Sequence, residues 1–419
     1  MRFFRGVATL IPANRWTVLI GGFLLNLMLG IVYAWSVFVR PLMDSYGWSK
    51  TTATLPFTVF LIVFALMMIP AGRAQDKKGP RKIATIGGIL LGAGFLLSQF
   101  IGDIQNPVLL CVTYGLIAGA GCGLGYACPI PTIRKWFPDK PGLSVGLVVM
   151  GFGLSALIFA PLQHHLIDTY GISTTFWIIG LVLLVIAVLA ASLLKNPPEG
   201  WKPTGWSPPQ KSDTSVATGP REYTQKEVVK TGQFWLTWVI FVFMAAAGLM
   251  VIGHVAAYAE EIGLIAATAA IATGVLSVFN AGGRPGSGFF SDKIGVIKTM
   301  LILFAVQGIM MLVFPHFATT TATLFVTVAI VGFCFGANFA IFPSITADSF
   351  GIKNMGANYG LVFTAYGVGG ILGPLMGSRI YDATQSYATA FTVAAVLVFV
   401  AVGLTWLLKT KYFSSKKQA

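Results

Sequence analysis

Negative charge is scarce in this 419-residue chain. It has 14 Asp and Glu against 28 Lys and Arg, and charged residues make up only 10% of it. Soluble domains carry about 25%, so the chain does not read as a soluble globular protein. Cysteine and histidine are just as sparse, at four each. Cys111, Cys122, Cys128 and Cys334 all fall inside apolar runs, which argues against a disulfide framework. No His/Cys group has metal-ligand spacing, so no metal is expected. His164 and His165 are expected to be polar caps near an outer helix end. No nucleophile–base pair stands out in the apolar runs, so the pattern is not that of an enzyme. The one phosphate-loop look-alike, GAGCGLG at Gly119–Gly125, lies within an apolar run and follows no strand. It is expected to serve close helix packing, and no cofactor is expected.

What the chain has in abundance is hydrophobic residues, at 56%. Apolar runs of 18 or more recur, each long enough to cross about 30 Å of hydrocarbon as a helix. They are too long and too uniform for barrel strands. Twelve membrane helices are predicted, near 17–39, 52–71, 83–101, 107–133, 142–165, 173–194, 233–258, 264–290, 297–315, 319–344, 356–380 and 387–408. No cleavable leader is expected ahead of Trp16.

The net charge of +14 could suggest a nucleic-acid partner, but its placement points elsewhere. Twelve spans put both termini on one side. That side collects nearly all the Lys and Arg, and the other receives Arg40, Lys50 and Arg379. Such a bias marks the cytoplasmic face. Both termini are therefore expected in the cytoplasm, the tail KTKYFSSKKQA solvated, and nucleic acid is not a partner.

The chain also repeats itself. GRAQDKKG (Gly72, Asp76, Lys77, Gly79) and GFFSDKIG (Gly288, Asp292, Lys293, Gly295) share the pattern G-x-x-x-D-K-x-G, 216 positions apart. GFG at Gly151 and GVG at Gly367 echo each other at the same offset, and Pro131 and Phe137 pair loosely with Pro343 and Phe350. The expected organisation is an all-α integral membrane protein of two pseudo-symmetric six-helix halves, 1–194 and 232–419. The Pro-, Ser- and Lys-containing stretch 195–231 joins them as a cytoplasmic linker. Parallel six-helix repeats are a transporter layout, with the site near the midplane.

Twelve helices, a long middle loop and the paired G-x-x-x-D-K-x-G motifs resemble the major facilitator superfamily over essentially the whole chain. NRW before helix 1, RKWFPDKPG after helix 4, FNAGGRPGSGFFSDKIG in helix 8 and NYG opening helix 11 are similar to the branch holding the oxalate:formate antiporter and the monocarboxylate transporters. The chain looks like a bacterial homologue of the animal lactate carriers. The resemblance implies the bacterial inner membrane. The paired motifs are expected to form loops after helices 2 and 8 that brace helix ends and gate the halves.

Arg284 is the cation that the loops do not account for. It lies eight residues before Asp292, about 12 Å deeper at ~1.5 Å per residue. A cation there costs on the order of 3 kcal/mol. Asp and Glu all map to loops, helix ends or the linker, so the expected counter-charge is the substrate's carboxylate. A guanidinium offers it two parallel charge-assisted hydrogen bonds. Asn280, four residues earlier, shares the helix face.

The pocket is expected to be completed by Phe335, Asn338 and Phe339 in helix 10, Phe363 and Tyr366 in helix 11, and Asn26, Leu29 and Tyr33 in helix 1. Tyr126 in helix 4 is where the resemblance places an anion-contacting tyrosine. In the oxalate branch a second intramembrane cation, a lysine, sits in helix 11. Counting from NYG puts that position at Tyr366, and one cation suits one carboxylate. The animal carriers have Asp where Asn280 stands, and a Lys in helix 1 that this chain lacks. His254 in helix 7 is the proton-coupling candidate, because its ordinary pKa lies near neutrality; a hydrogen-bonded histidine is the competing reading. The expectation is a secondary transporter of a lactate- or pyruvate-like monocarboxylate, with a proton, working as a monomer in the bilayer. A carboxylate antiporter of the oxalate:formate type is the alternative.

Overall fold

A computed structural model describes residues 14–207 and 221–413. The basic residues before Asn14, the middle of the linker and the end of the basic tail lie outside the described residues. Among the described residues the chain is helical, with no strand.

Among the described residues ten helices are long and apolar enough to cross a membrane. They are α1 (Arg15–Ala34), α2 (Lys50–Lys78), α3 (Pro80–Ile104), α4 (Pro107–Trp136), the run Pro141–Ser192, α7 (Gly232–Glu261), α9 (Val296–Phe317), α10 (Thr321–Phe350), α11 (Met355–Thr384) and α12 (Ala388–Phe413). Pro141–Ser192 is one of these, yet Gly171, with φ 80° and ψ 173°, breaks it into two rods, α5 before the glycine and α6 after it. The remaining rod, α8 (Ala266–Ile294), is 29 residues long but carries Arg284, Asp292 and Lys293, which lower its hydropathy. Among the described residues the rods therefore follow the twelve-helix order.

Local chemistry sets the ends. Asn14 opens α1 by accepting the Trp16 and Thr17 amides at 2.9 Å each, while Thr17 accepts the Asn14 amide in return, a capping box. Ser49 caps α2 through the Thr52 amide at 3.1 Å. The paired motifs differ from a loop reading. Gly72–Lys78 and Gly288–Ile294 are the last turns of α2 and α8, and only the final glycine leaves the helix. The reason is that Gly79 and Gly295 still donate to the Gln75 and Ser291 carbonyls (2.9 and 3.0 Å) before turning to φ 85° and 86°, a region costly for any residue with a Cβ. Gly47 and Gly263, again 216 positions apart, both take positive φ as well (66° and 83°). The backbone thus carries the repeat seen in the sequence.

The chain divides into two compact units. The first ends at Phe137 and resumes over Leu147–Trp201; the second comprises Pro138–Gly146 and Lys202–Ala419. In the first unit, GAGCGLG is a packing surface. A Cβ at Gly87 of α3 would sit 2.5 Å from the Gly125 nitrogen, and one at Gly94 would sit 2.6 Å from the Ala118 nitrogen. α4 is not continuous. A π-helical stretch spans Cys111–Ala118, and the helix breaks after Tyr126. Pro129 and Pro131 lack the N–H groups that Gly125 and Ala127 would otherwise accept.

In the second unit α8 and α10 pack backbone to backbone. A Cβ on Gly332 would come 2.6 Å from the Leu276 carbonyl, and Gly336 and Gly283 leave no room for one against Asn280 and Phe333. Asp292 accepts the Gly142 and Leu143 amides at 2.7 and 2.8 Å, one on each carboxylate oxygen. It thereby satisfies orphan donors at the start of α5, where the helix dipole favours an anion. The far end of the 195–231 stretch is tied to the α10–α11 turn. Glu222 accepts the Ile352 and Lys353 amides, and the Tyr223 carbonyl accepts both the Asn354 and Asn358 side-chain amides at 3.0 Å. The asparagine of NYG is thus an anchor for this segment.

Candidate functional site

Arg284 is fully buried, and it is the largest of the fully buried side chains. Its Nη2 donates to Asn280 Oδ1 at 3.2 Å, one helical turn away. Its guanidinium carbon lies 4.3 Å from the centroid of the Phe339 ring. A cation over a ring face is attracted by the aromatic quadrupole, most strongly where water is excluded. The close α8–α10 approach at Gly283 and Gly336 makes this contact, because each missing Cβ lets the two backbones touch. Ser287, on the next turn, is held by the Arg284 and Ala337 carbonyls at 3.1 and 3.4 Å.

Around Phe339 the structure assembles three other expected aromatics. Phe335 meets Phe339 edge-on at 5.6 Å, Tyr366 meets it at 5.4 Å, and Phe363 lies 5.2 Å from Tyr366. Phe241 of α7 also belongs to this group, 6.3 Å from Phe363 and stacked at 3.9 Å on Phe342. No spacing in the sequence singles out Phe241, because its contacts come from other helices. Asn338 is buried like its neighbours, but it points about 100° around α10 from Phe339. Its amide makes no hydrogen bond among the described residues.

The first unit holds its own aromatic cluster. Tyr126, at the break in α4, is buried and packs edge-on against Phe64 at 5.4 Å and Phe152 at 5.2 Å. Tyr33 meets Phe152 at 5.2 Å. Leu29 packs over Gly125. Asn26 donates to the Gly22 carbonyl at 2.9 Å within its own helix, and its Oδ1 accepts nothing among the described residues. Phe64 and Phe152 are the members that the sequence reading missed. Both sit in helices rich in apolar residues, where nothing in the sequence separates one phenylalanine from the next.

His254 is placed between α7 and α11. Its Nδ1 lies 2.9 Å from the Met250 carbonyl and its Nε2 lies 3.1 Å from Ser378 Oγ. The carbonyl requires a proton on Nδ1, and the serine hydroxyl can face either form of Nε2. Gly377 makes room for the ring, and Tyr387 flanks it at 5.2 Å. Away from these groups, His164 pairs with Asp168 at 2.8 Å on an exposed surface. Among the described residues no group of His, Cys, Asp and Glu could hold a metal.

Comparison with known proteins adds the lineage. A family model described as Major Facilitator Superfamily matches residues 18–374 and 243–419. The chain is 31% identical to the oxalate:formate antiporter of Oxalobacter formigenes, over 95% of this chain and 92% of that protein. It is 28% identical to monocarboxylate transporter 13 of Rattus norvegicus, over 80% of this chain and 75% of that one. Among solved structures it is similar to the transporter FucP in the outward conformation, with a TM-score of 0.71 and 17% identity, covering 93% of this chain and 97% of that one. That last likeness speaks to fold alone.

Proposed function

This chain belongs to the major facilitator superfamily, and from that premise we propose that it carries a small monocarboxylate of the lactate or pyruvate type by alternating access. It is a secondary transporter, and the relatives make a carboxylate the natural class of cargo. The observation that carries the reading is Arg284, a guanidinium buried in a membrane helix, oriented by Asn280 and seated on Phe339. A carboxylate leaving water loses a large hydration energy. Arg284 replaces it with charge-assisted hydrogen bonds, while Phe335, Phe363 and Tyr366 supply an apolar surround for a short carbon body.

Tyr366 argues for one carboxylate rather than two. The position where the resemblance puts a second cation holds a phenol packed on Phe339 and Phe363. Dicarboxylate exchange is the second reading, favoured by the 31% identity to the oxalate:formate antiporter. Proton coupling through His254 belongs to the same proposal and rests on its buried position, with a bonding partner available to each ring nitrogen. The test is counterflow of labelled lactate in proteoliposomes with unlabelled competitors. Competition by pyruvate and not by oxalate supports the monocarboxylate reading. Oxalate competing as well as lactate overturns it in favour of exchange.

A further inference from the structure

Where α7 begins and α12 ends, the second unit has a groove of about 370 Å³ that the transport reading does not use. Its apolar lining is Leu236, Val239, Leu404 and Leu407, and its rim is Trp235, Lys411 and Tyr412. This volume falls within the range of small-ligand sites. Tyr412 reaches across to α7, where its hydroxyl would lie 2.6 Å from a Cβ built on Gly232. Any side chain at 232 would therefore push Tyr412 off and open the end of the groove.

The rim is aromatic and basic. Trp235 is 52% exposed and Trp406 is 56% exposed, and indole rings of this kind settle at the headgroup level of a bilayer. Lys409 lies over Trp406 at 4.7 Å and Lys411 over Tyr412 at 5.6 Å. Among the described residues Lys411 makes no ion pair. The nearby Glu227 does not neutralise this edge, because it is engaged by Arg221 at 2.9 Å and by Thr224. Lys230 lies exposed just ahead of α7. The combination is an apolar slot opening beside exposed indoles and the Lys411 ammonium.

From this juxtaposition we infer that the groove holds one acyl chain of an anionic glycerophospholipid, with the lipid phosphate over Lys411. Charge complementarity selects the headgroup, and the aliphatic slot selects the chain. A neutral lipid fills the slot without the phosphate–ammonium attraction, and a headgroup without a chain leaves the slot empty.

Native mass spectrometry of the purified full-length protein, given equimolar phosphatidylglycerol and phosphatidylcholine, tests the inference on folded molecules only. The unmodified protein should retain phosphatidylglycerol preferentially. Lys411→Gln should cut that preference about fivefold, the effect of one lysine near an anionic surface. Leu404→Trp, which fills the slot, should lower retention of both lipids, and Lys353→Gln in the α10–α11 turn should change neither. Equal retention of the two lipids by the unmodified protein overturns the proposal. So does an unchanged preference in Lys411→Gln, or displacement of the lipid by glycerol phosphate alone.

Discussion

The Arg284 guanidinium lies 4.3 Å from the Phe339 ring centroid, and these two residues come from helices whose backbones touch at glycines. One side chain supplies the charge and the other supplies an aromatic face, while Asn280 Oδ1 accepts from the guanidinium at 3.2 Å. Arg284→Lys keeps the charge and loses the planar fork; Arg284→Gln loses both. Each should weaken lactate uptake at least 30-fold, in line with the roughly 2–5 kcal/mol cost of truncating a buried hydrogen-bonded ion pair. Phe339→Leu should cost less, up to about 2 kcal/mol from the lost cation–π contact. Uptake per inserted molecule in proteoliposomes measures all three, and near-normal transport by Arg284→Gln would remove Arg284 as the ligand.

Tyr366 should decide the charge class of the cargo. Tyr366→Lys adds a second cation to the aromatic group of the second unit. It should weaken lactate and strengthen oxalate or malonate in a competition series. An unchanged ranking of mono- and dicarboxylates would show that counting cations does not predict the substrate.

His254→Gln preserves hydrogen-bonding capacity toward Met250 and Ser378 but cannot carry a proton. If His254 loads the coupled proton, the variant should keep counterflow at equal pH and lose accumulation driven by an inward proton gradient. Full gradient-driven accumulation would leave His254 as a packing residue. A parent protein indifferent to the gradient would mean exchange rather than symport.

Gly282 and Gly283 are adjacent, yet they predict opposite outcomes. A Cβ at Gly282 meets nothing within 4 Å, whereas one at Gly283 collides with the Phe333 backbone. Gly282→Ala should be silent. Gly283→Ala should push α8 from α10, displace Arg284 from Phe339, and reduce both uptake and the thermal unfolding midpoint, an overpacking cost of about 1–3 kcal/mol. Equal behaviour of the two variants would show that the helix contact does not position the arginine.

Period, length and hydropathy determined much from the sequence alone. Apolar runs long enough to span hydrocarbon have no structural choice but helix, because unbonded backbone groups are too costly there. The 216-residue repeat was equally legible, and its final glycines, Gly79 and Gly295, do turn to positive φ. Arg284 stood out because a cation in an apolar run is costly wherever the helices go. Tertiary structure decided what no spacing encodes. The motif residues from Gly72 to Lys78 proved helical, since a helix ends where its backbone can turn and not where hydropathy falls. Asn338 and Phe339 are neighbours in sequence, but only Phe339 joins the Arg284 contact, because one residue is about 100° of helix rotation. Phe64, Phe152 and Phe241 became site candidates only through partners on other helices. A phenylalanine in a membrane helix reads alike on every face, and packing alone assigns it a neighbour.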